Sequence, residues 1–313
     1  MVSSNSTGWS LRSWSAGESS EIFKINLNPD GVALAAVGDV PGSALNQFSM
    51  DEHDELFRIA TTTGSGGWWS SNNFSNSLLV LRQDGDQLNV VGGLEGIAPS
   101  ERIYSARFMG DRAYLVTFQN TDPLFTFDLS DPTHPQLVGE LVIPGFSTYL
   151  HPFDENHLLA LGRQVDWNEP FGLQIAMFDV TDMAHPVRTH LYSFGSNLWG
   201  EGSEAERDHH AFSFFAEQGV LAIPVSHGQW FGQNSGSPAG LEVLHVTIDQ
   251  GFTMLGRVEH QTDVRRSLRI GDFLYSVSTD AVKVQPILDP NSQVAQVNLS
   301  DPPASPTAAA SSV

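Results

Sequence analysis

Cysteine is absent from the 313 residues of this chain. That excludes disulfides, a thiol nucleophile and any zinc–thiolate centre. Positive charge is scarce as well: 15 lysines and arginines stand against 36 aspartates and glutamates, a formal charge of −21. Such a field repels phosphate backbones and anionic lipid surfaces, so neither nucleic acid nor membrane insertion is expected. No apolar run approaches the roughly 20 residues that a membrane helix needs. The first seven residues, Met1-Val-Ser-Ser-Asn-Ser-Thr7, lack the basic and apolar regions of a signal peptide. There is no G-x-S-x-G, H-E-x-x-H, P-loop or dinucleotide fingerprint, and no cofactor is expected.

What is present is repetition. Phe125-Thr-Phe-Asp-Leu-Ser-Asp-Pro-Thr-His-Pro135 and Ile175-Ala-Met-Phe-Asp-Val-Thr-Asp-Met-Ala-His-Pro186 are alternating apolar strands, each closed by an Asp/Pro turn. A second strand follows each, at Gln136–Ile143 and Val187–Ser193. Asp128 and Asp179 stand 51 residues apart. A period near that length, built from strand hairpins, predicts radially repeated antiparallel sheets, an all-β propeller of four-stranded blades.

With strands lettered a to d from the axis outward, a–b hairpins read at Phe108–Val116, Leu150–Ala160, Phe214–Ala222 and Leu268–Ser276. A weaker one reads at Phe48–Ile59. The c–d hairpins read at Leu78–Leu94, Phe125–Ile143, Leu173–Tyr192, Leu241–Val258 and Val282–Val297. Glycine recurs in strand d at Gly38, Gly92, Gly139 and Gly256. The expectation is five complete blades plus a leading c–d half, Ile22–Val40, with no a–b partner before it. About five and a half blades then make up the C-terminal part of a larger ring. Residues 1–20 are expected as loop, 21–300 as blades and 301–313, rich in Pro, Ala and Ser, as a disordered tail. A short helical turn is expected near Ser203–Arg207.

Several phrases carry a family resemblance. They are Leu45-Asn-Gln-Phe-Ser-Met-Asp-Glu52, the run Glu101–Thr117, Pro123-Leu-Phe-Thr-Phe-Asp-Leu-Ser-Asp-Pro132, the run Ile143–His157, and Arg265-Arg-Ser-Leu-Arg-Ile-Gly-Asp272. Over about Glu21 to Leu299 the chain resembles secreted bacterial and archaeal proteins with a C-terminal β-propeller distantly related to WD40 repeats. The resemblance implies a longer protein with further blades before Met1, and a secreted or cell-surface location. It implies no known reaction and no catalytic residues.

Propeller topology brings the b–c loops and d–a connections to one face. Trp68 and Trp69, Trp167 and Trp230 fall in long b–c segments, and Trp199 in a d–a connection. Trp9 and Trp14 precede the first c strand. Aromatic rings on loops held by a rigid scaffold suit a glycan or a protein ligand; the bland alternative is that they pack their own loops down. The d–a connections add Glu101 and Arg102, Asp208, His209 and His210, and Arg265 and Arg266. Asp208-His209-His210 invites a metal or acid–base reading. Adjacent histidines on a regular strand point to opposite faces, so both reach one ion only where the backbone is irregular; the plainer reading makes one a strand cap and leaves the other to solvent. Arg265 and Arg266 suit a ligand carboxylate, or pairing with Glu101 or Asp208. The Asp-rich turns at Asp128–Asp131 and Asp179–Asp182 lack calcium-loop spacing and shape the c–d turn. Glu201, Glu204, Glu206 and Asp208 form an acidic connection. Asn5, Asn73 and Asn298 fit glycosylation sequons.

The reading that joins these features is a non-catalytic extracellular module whose aromatic-rich face binds a glycan or a protein. A hydrolase or lyase acting from the same funnel, and a purely structural module, are the alternatives.

Overall fold

The structure is a computed structural model that describes residues 6–14, 19–29, 31–65, 73–118, 122–164, 172–194, 201–227 and 239–299. Its architecture is all-β, with four-stranded antiparallel sheets arranged as propeller blades. The contacts group the chain into two units. Unit 1 holds Met1–Glu169 and Gln174–His190, and unit 2 holds Pro170–Leu173 and Leu191–Val313.

In unit 1, strands β1 (Ser6–Trp14), β2 (Ser19–Asn28) and β3 (Gly31–Pro41) form an antiparallel ribbon. The leading hairpin therefore does have an inner partner. Residues expected as loop form β1, paired with β2 from Ser6↔Leu27 to Trp14↔Ser19. The segment Ser6–Trp14 is rich in serine and holds only scattered apolar residues, which masked the strand.

The first complete blade runs β4 (Met50–His53), β5 (Leu56–Thr63), β6 (Ser75–Asp84), β7 (Gln87–Ile97). It joins the ribbon through one parallel bridge, Val37↔Gln87. The second runs β8 (Arg102–Met109), β9 (Arg112–Phe118), β10 (Asp122–Asp128), β11 (Gln136–Ile143). The third runs β12 (Phe146–Pro152), β13 (His157–Arg163), β14 (Leu173–Asp179), β15 (Val187–Ser193). Apolar residues on the faces of successive sheets form the core. Ile59, Leu79 and Leu81 pack with Ile22 and Val40; Leu78 and Val80 pack with Leu115 and Phe127; Tyr114, Val116 and Leu124 pack with Leu158 and Phe178. The middle strands b and c are buried on both faces, so they read as near-continuous apolar runs such as Leu173–Phe178.

Outer strand d meets the next sheet through its glycines. In the c–d pairs whose strand d carries a recurring glycine, a bulge adds one residue close to it, as between Thr126 and Phe127 opposite Gly139 and between Val80 and Leu81 opposite Gly92. Bulges sharpen the strand twist. The glycine then lies under the neighbouring c–d turn. A Cβ on Gly92 would stand 2.3 Å from Pro132 O, and one on Gly139 2.1 Å from Met183 O. Thr126 Oγ1 donates to that same Met183 carbonyl. The turns themselves are closed by aspartate. Asp128 accepts Ser130 N–H at 2.9 Å, Asp179 accepts Thr181 N–H at 2.8 Å, and Asp131 and Asp182 accept from the next-but-one N–H and from the ring of His134 or His185.

In unit 2, the inner strand position is split. β16 (Glu201–Gly202) and β17 (Ser213–Phe215) both pair with β18 (Val220–His227), at its two ends. β19 (Ala239–Thr247) and β20 (Gly251–His260) complete that blade. The last blade runs β21 (Val264–Ile270), β22 (Phe273–Ser278), β23 (Ala281–Pro286), β24 (Ala295–Asn298). Val220, Leu241, Val243, Val264 and Leu274 share its core.

Candidate functional site

In a blade of this topology the ends of b, the starts of c and the starts of a lie together. In unit 1 that end carries the d–a connection with Glu101 and Arg102. Its backbone is unusual, since Ala98 and Ser100 have φ of 44° and 74°. Asn76 holds it, donating through Nδ2 to Ile97 O at 2.9 Å and to Glu101 O at 3.1 Å while accepting from Thr62 Oγ1 at 2.7 Å. The buried Asn76 thus supplies partners that the strained loop cannot find in a sheet. Glu101 accepts Thr117 Oγ1. Arg102 is exposed and sets its guanidinium 5.4 Å from the ring centre of Phe74.

Beside it stands an aromatic cluster that sequence reasoning missed. Tyr104 on β8 is 5.4 Å from Phe118 at the end of β9 and 5.8 Å from Phe146 at the start of β12, and Phe118 is 5.4 Å from Phe146. All three rings are half-buried. Their signal in the sequence is position: each lies at or within two residues of a strand terminus at this end. Further along the same inner strands, Arg107 lies 4.1 Å from the Phe48 ring centre and donates from Nε to Leu150 O at 2.9 Å. Burial, with the Arg107 charge next, lowers His151 to about 4.

In unit 2 the broken inner strand sends out residues 203–212 as two successive 3-10 turns. Ser203 caps the first, Glu204–Glu206, in a reciprocal capping box with Glu206. This is the helical turn expected near Ser203–Arg207. Asp208 caps the second, His209–Ala211, accepting His210 N–H at 3.0 Å. Three acidic residues of this connection have partners: Glu206 caps, Glu204 pairs with Arg265 at 2.9 Å, and Asp208 pairs with Arg266 at 2.8 Å. Of the partners expected for the two arginines, Asp208 is the one found; Glu101 is held by Thr117. The hydrogen bond from Arg266, then those from His210, lower the Asp208 carboxyl to about 2. It is a fixed anion at neutral pH, unsuited to act as a general acid. Of the plain reading of His209 and His210, the ring that faces solvent is present at His210, while neither residue caps a strand. The backbone is a 3-10 turn, and the rings lie with centres 3.9 Å apart, tilted by 36°.

Trp68, Trp69, Trp167, Trp199 and Trp230 lie outside the described residues. Trp9 and Trp14 lie on β1. Among the described residues no helix is long and apolar enough to cross a membrane.

The model of one family, described as the beta propeller domain, matches residues 3–289. The chain belongs to that family. Two archaeal relatives of the propeller are the uncharacterized protein MJ1554 of Methanocaldococcus jannaschii, 37% identical over 89% of this chain, and an uncharacterized protein of Archaeoglobus fulgidus, 35% identical over 84%. The match covers 40% and 37% of those proteins, so the propeller spans about two fifths of the length of the curated relatives it matches. Among solved structures it resembles Sqt1 from Chaetomium thermophilum bound to the N-terminus of the ribosomal protein L10. That likeness has a TM-score of 0.50 at 12% identity, over 90% of this chain and 69% of that one. At such identity the likeness speaks for the fold.

Proposed function

We propose that the propeller is a binding module of an exported, extracellular or cell-surface protein, and that the b–c and d–a end of unit 1 takes a protein ligand. The observation that carries this reading is the half-buried cluster Tyr104, Phe118 and Phe146 beside Arg102 and Phe74. Tyrosine, phenylalanine and arginine are the side chains that concentrate binding energy at protein interfaces, because they bring large, stiff contact areas and a forked donor. The Asn76 and Thr117 hydrogen bonds hold the adjoining connection 97–101 in advance of binding, which lowers the ordering cost. The protein-bound structure of Sqt1 offers a precedent on the same fold.

A tiled peptide array and a glycan array, each probed with the parent chain, Phe118→Ala and His134→Ala, test the proposal. The expected result is a peptide signal that Phe118→Ala weakens by about tenfold, the loss of one aromatic anchor. His134, in a c–d turn at the opposite end of its blade, changes nothing. Binding on the glycan array alone, or equal binding by Phe118→Ala, overturns the protein-ligand reading.

A further inference from the structure

Asp208, His209 and His210 are carried on the excursion that interrupts the inner strand between β16 and β17. The blade would close without this excursion, since both short strands pair with β18. An insertion of this kind on a rigid scaffold is a place where function concentrates. The 3-10 turn overcomes the geometric objection to two neighbouring histidines acting together. Their ring planes differ by only 36° and their centres lie 3.9 Å apart. One ligand atom from each of Asp208, His209 and His210 lies within 4.8 Å of the other two. Ligand atoms around a zinc-sized ion, at bonds of about 2.0–2.2 Å, stand roughly 3–4 Å from one another. Small side-chain rotations therefore bring all three onto one centre.

We infer that Asp208, His209 and His210 form a site for a divalent transition metal of the zinc type. Two imidazoles and one carboxylate select zinc, cobalt, nickel or copper over calcium and magnesium, which take oxygen ligands. The surroundings already hold the ligands in place. Arg266 Nη2 engages Asp208 Oδ2 at 2.8 Å, and Asp208 Oδ1 lies 3.0 Å from His210 Nδ1. A divalent ion that displaces the proton between Asp208 Oδ1 and His210 Nδ1 takes both atoms as ligands, their 3.0 Å separation being close to that of neighbouring donors around one such ion. Arg266 acts as a positioning residue for the carboxylate. Arg265, paired with Glu204 at 2.9 Å, ties the preceding turn to the same strand β21. His210 is exposed and Asp208 and His209 are half-buried, so three protein ligands leave a coordination position open to solvent or to a ligand's own donor atom. The site is independent of the aromatic cluster of unit 1.

The test is calorimetric titration of Zn2+ into the full chain at neutral pH, in parallel with His210→Ala, His209→Ala, Asp208→Asn and His185→Ala. His185 forms an exposed pair with Asp182 at 2.9 Å and controls for adventitious histidine binding. The expected result is one equivalent bound by the parent, weakened at least tenfold by each of the three site variants and unchanged by His185→Ala. A Co2+ titration gives a second readout: tetrahedral d–d absorption in the parent, lost in His209→Ala. Should an alanine variant fail to fold by circular dichroism, His210→Gln and His209→Gln replace it. Absence of saturable binding, equal affinity in the site variants, or an equal loss in His185→Ala overturns the inference.

Discussion

Gly139→Ala is expected to destabilise unit 1 by about 3 kcal/mol, the upper part of the usual range for overpacking a filled space. The reason is a neighbour and not the glycine's own backbone angle. Gly139 lies on β11 opposite Thr126. Its missing Cβ would stand 2.1 Å from Met183 O and 2.7 Å from Thr126 Oγ1. The obstacle is backbone held by the Thr126 hydrogen bond, so it cannot turn aside as a flexible side chain would. Either the c–d turn lifts, breaking that bond and opening the seam between the second and third blades, or β11 moves away from it. Gly92→Ala repeats the experiment one blade earlier, against Pro132 O at 2.3 Å and Thr133. Leu137→Ser, on the same strand and 46% exposed, is the control and changes stability little. Thermal melts of the three variants against the parent decide it; a Gly139→Ala midpoint equal to the parent's shows that the turn docks more loosely than its geometry indicates.

The second large effect is acid sensitivity centred on His260 in unit 2. Its ring is 2% exposed. Nδ1 lies 2.9 Å from Ser278 Oγ and Nε2 2.8 Å from Ser276 Oγ, and Ser278 passes its own proton to Asp280 at 2.7 Å. This chain satisfies a neutral imidazole: Nδ1–H donates toward Ser278 and Nε2 accepts from Ser276. Burial, and then the Lys283 ammonium, lower the pKa from 6.5 to about 4, with Asp280 opposing. In the unfolded chain the same histidine takes up a proton near 6.5, whereas the folded protein refuses it until about 4. Between those values the unfolded state binds more protons, so stability falls as pH falls through the window and levels off below it. The loss is roughly 3 kcal/mol over the window. His151, also lowered to about 4, acts in the same direction in unit 1. The carboxylates that hydrogen bonds lower to about 2, Asp131 and Asp208, lose their partners' support only below this range. Melting points recorded from pH 7 to pH 4 for the parent and His260→Gln separate the contributions. The parent midpoint should drop steeply, and the variant should start lower and run flatter. Parallel slopes mean that His260 does not govern the acid limb.

Much of the fold was legible because blade strands are local objects. The alternation in Phe125–Phe127 and Ile175–Phe178, closed by Asp128 and Asp179 turning on their own N–H groups, needs nothing beyond a dozen consecutive residues. The five complete blades follow from repeating that pattern. β1 was not legible, because a serine-rich stretch with two tryptophans and one leucine reads as loop until β2 lies beside it.

The site was legible in part. Asp208, His209, His210 and the two arginines stood out by residue type, and so did the condition for the histidines to act together. Whether it was met depended on β16 and β17 both pairing with β18, an interaction across more than ten residues that forces residues 203–212 into consecutive 3-10 turns. The aromatic cluster of unit 1 unites Tyr104, Phe118 and Phe146 from three strands of two blades, and no sequence window contains it.

The sequence by itself determined which segments become strands, how hairpins turn and that four-stranded sheets repeat, because alternation and turn chemistry act between near neighbours in the chain. Only the tertiary structure decided that Gly139 lies beneath Met183 and that Arg266 reaches Asp208. Those contacts join residues of successive blades, where close packing and not local propensity sets what touches what.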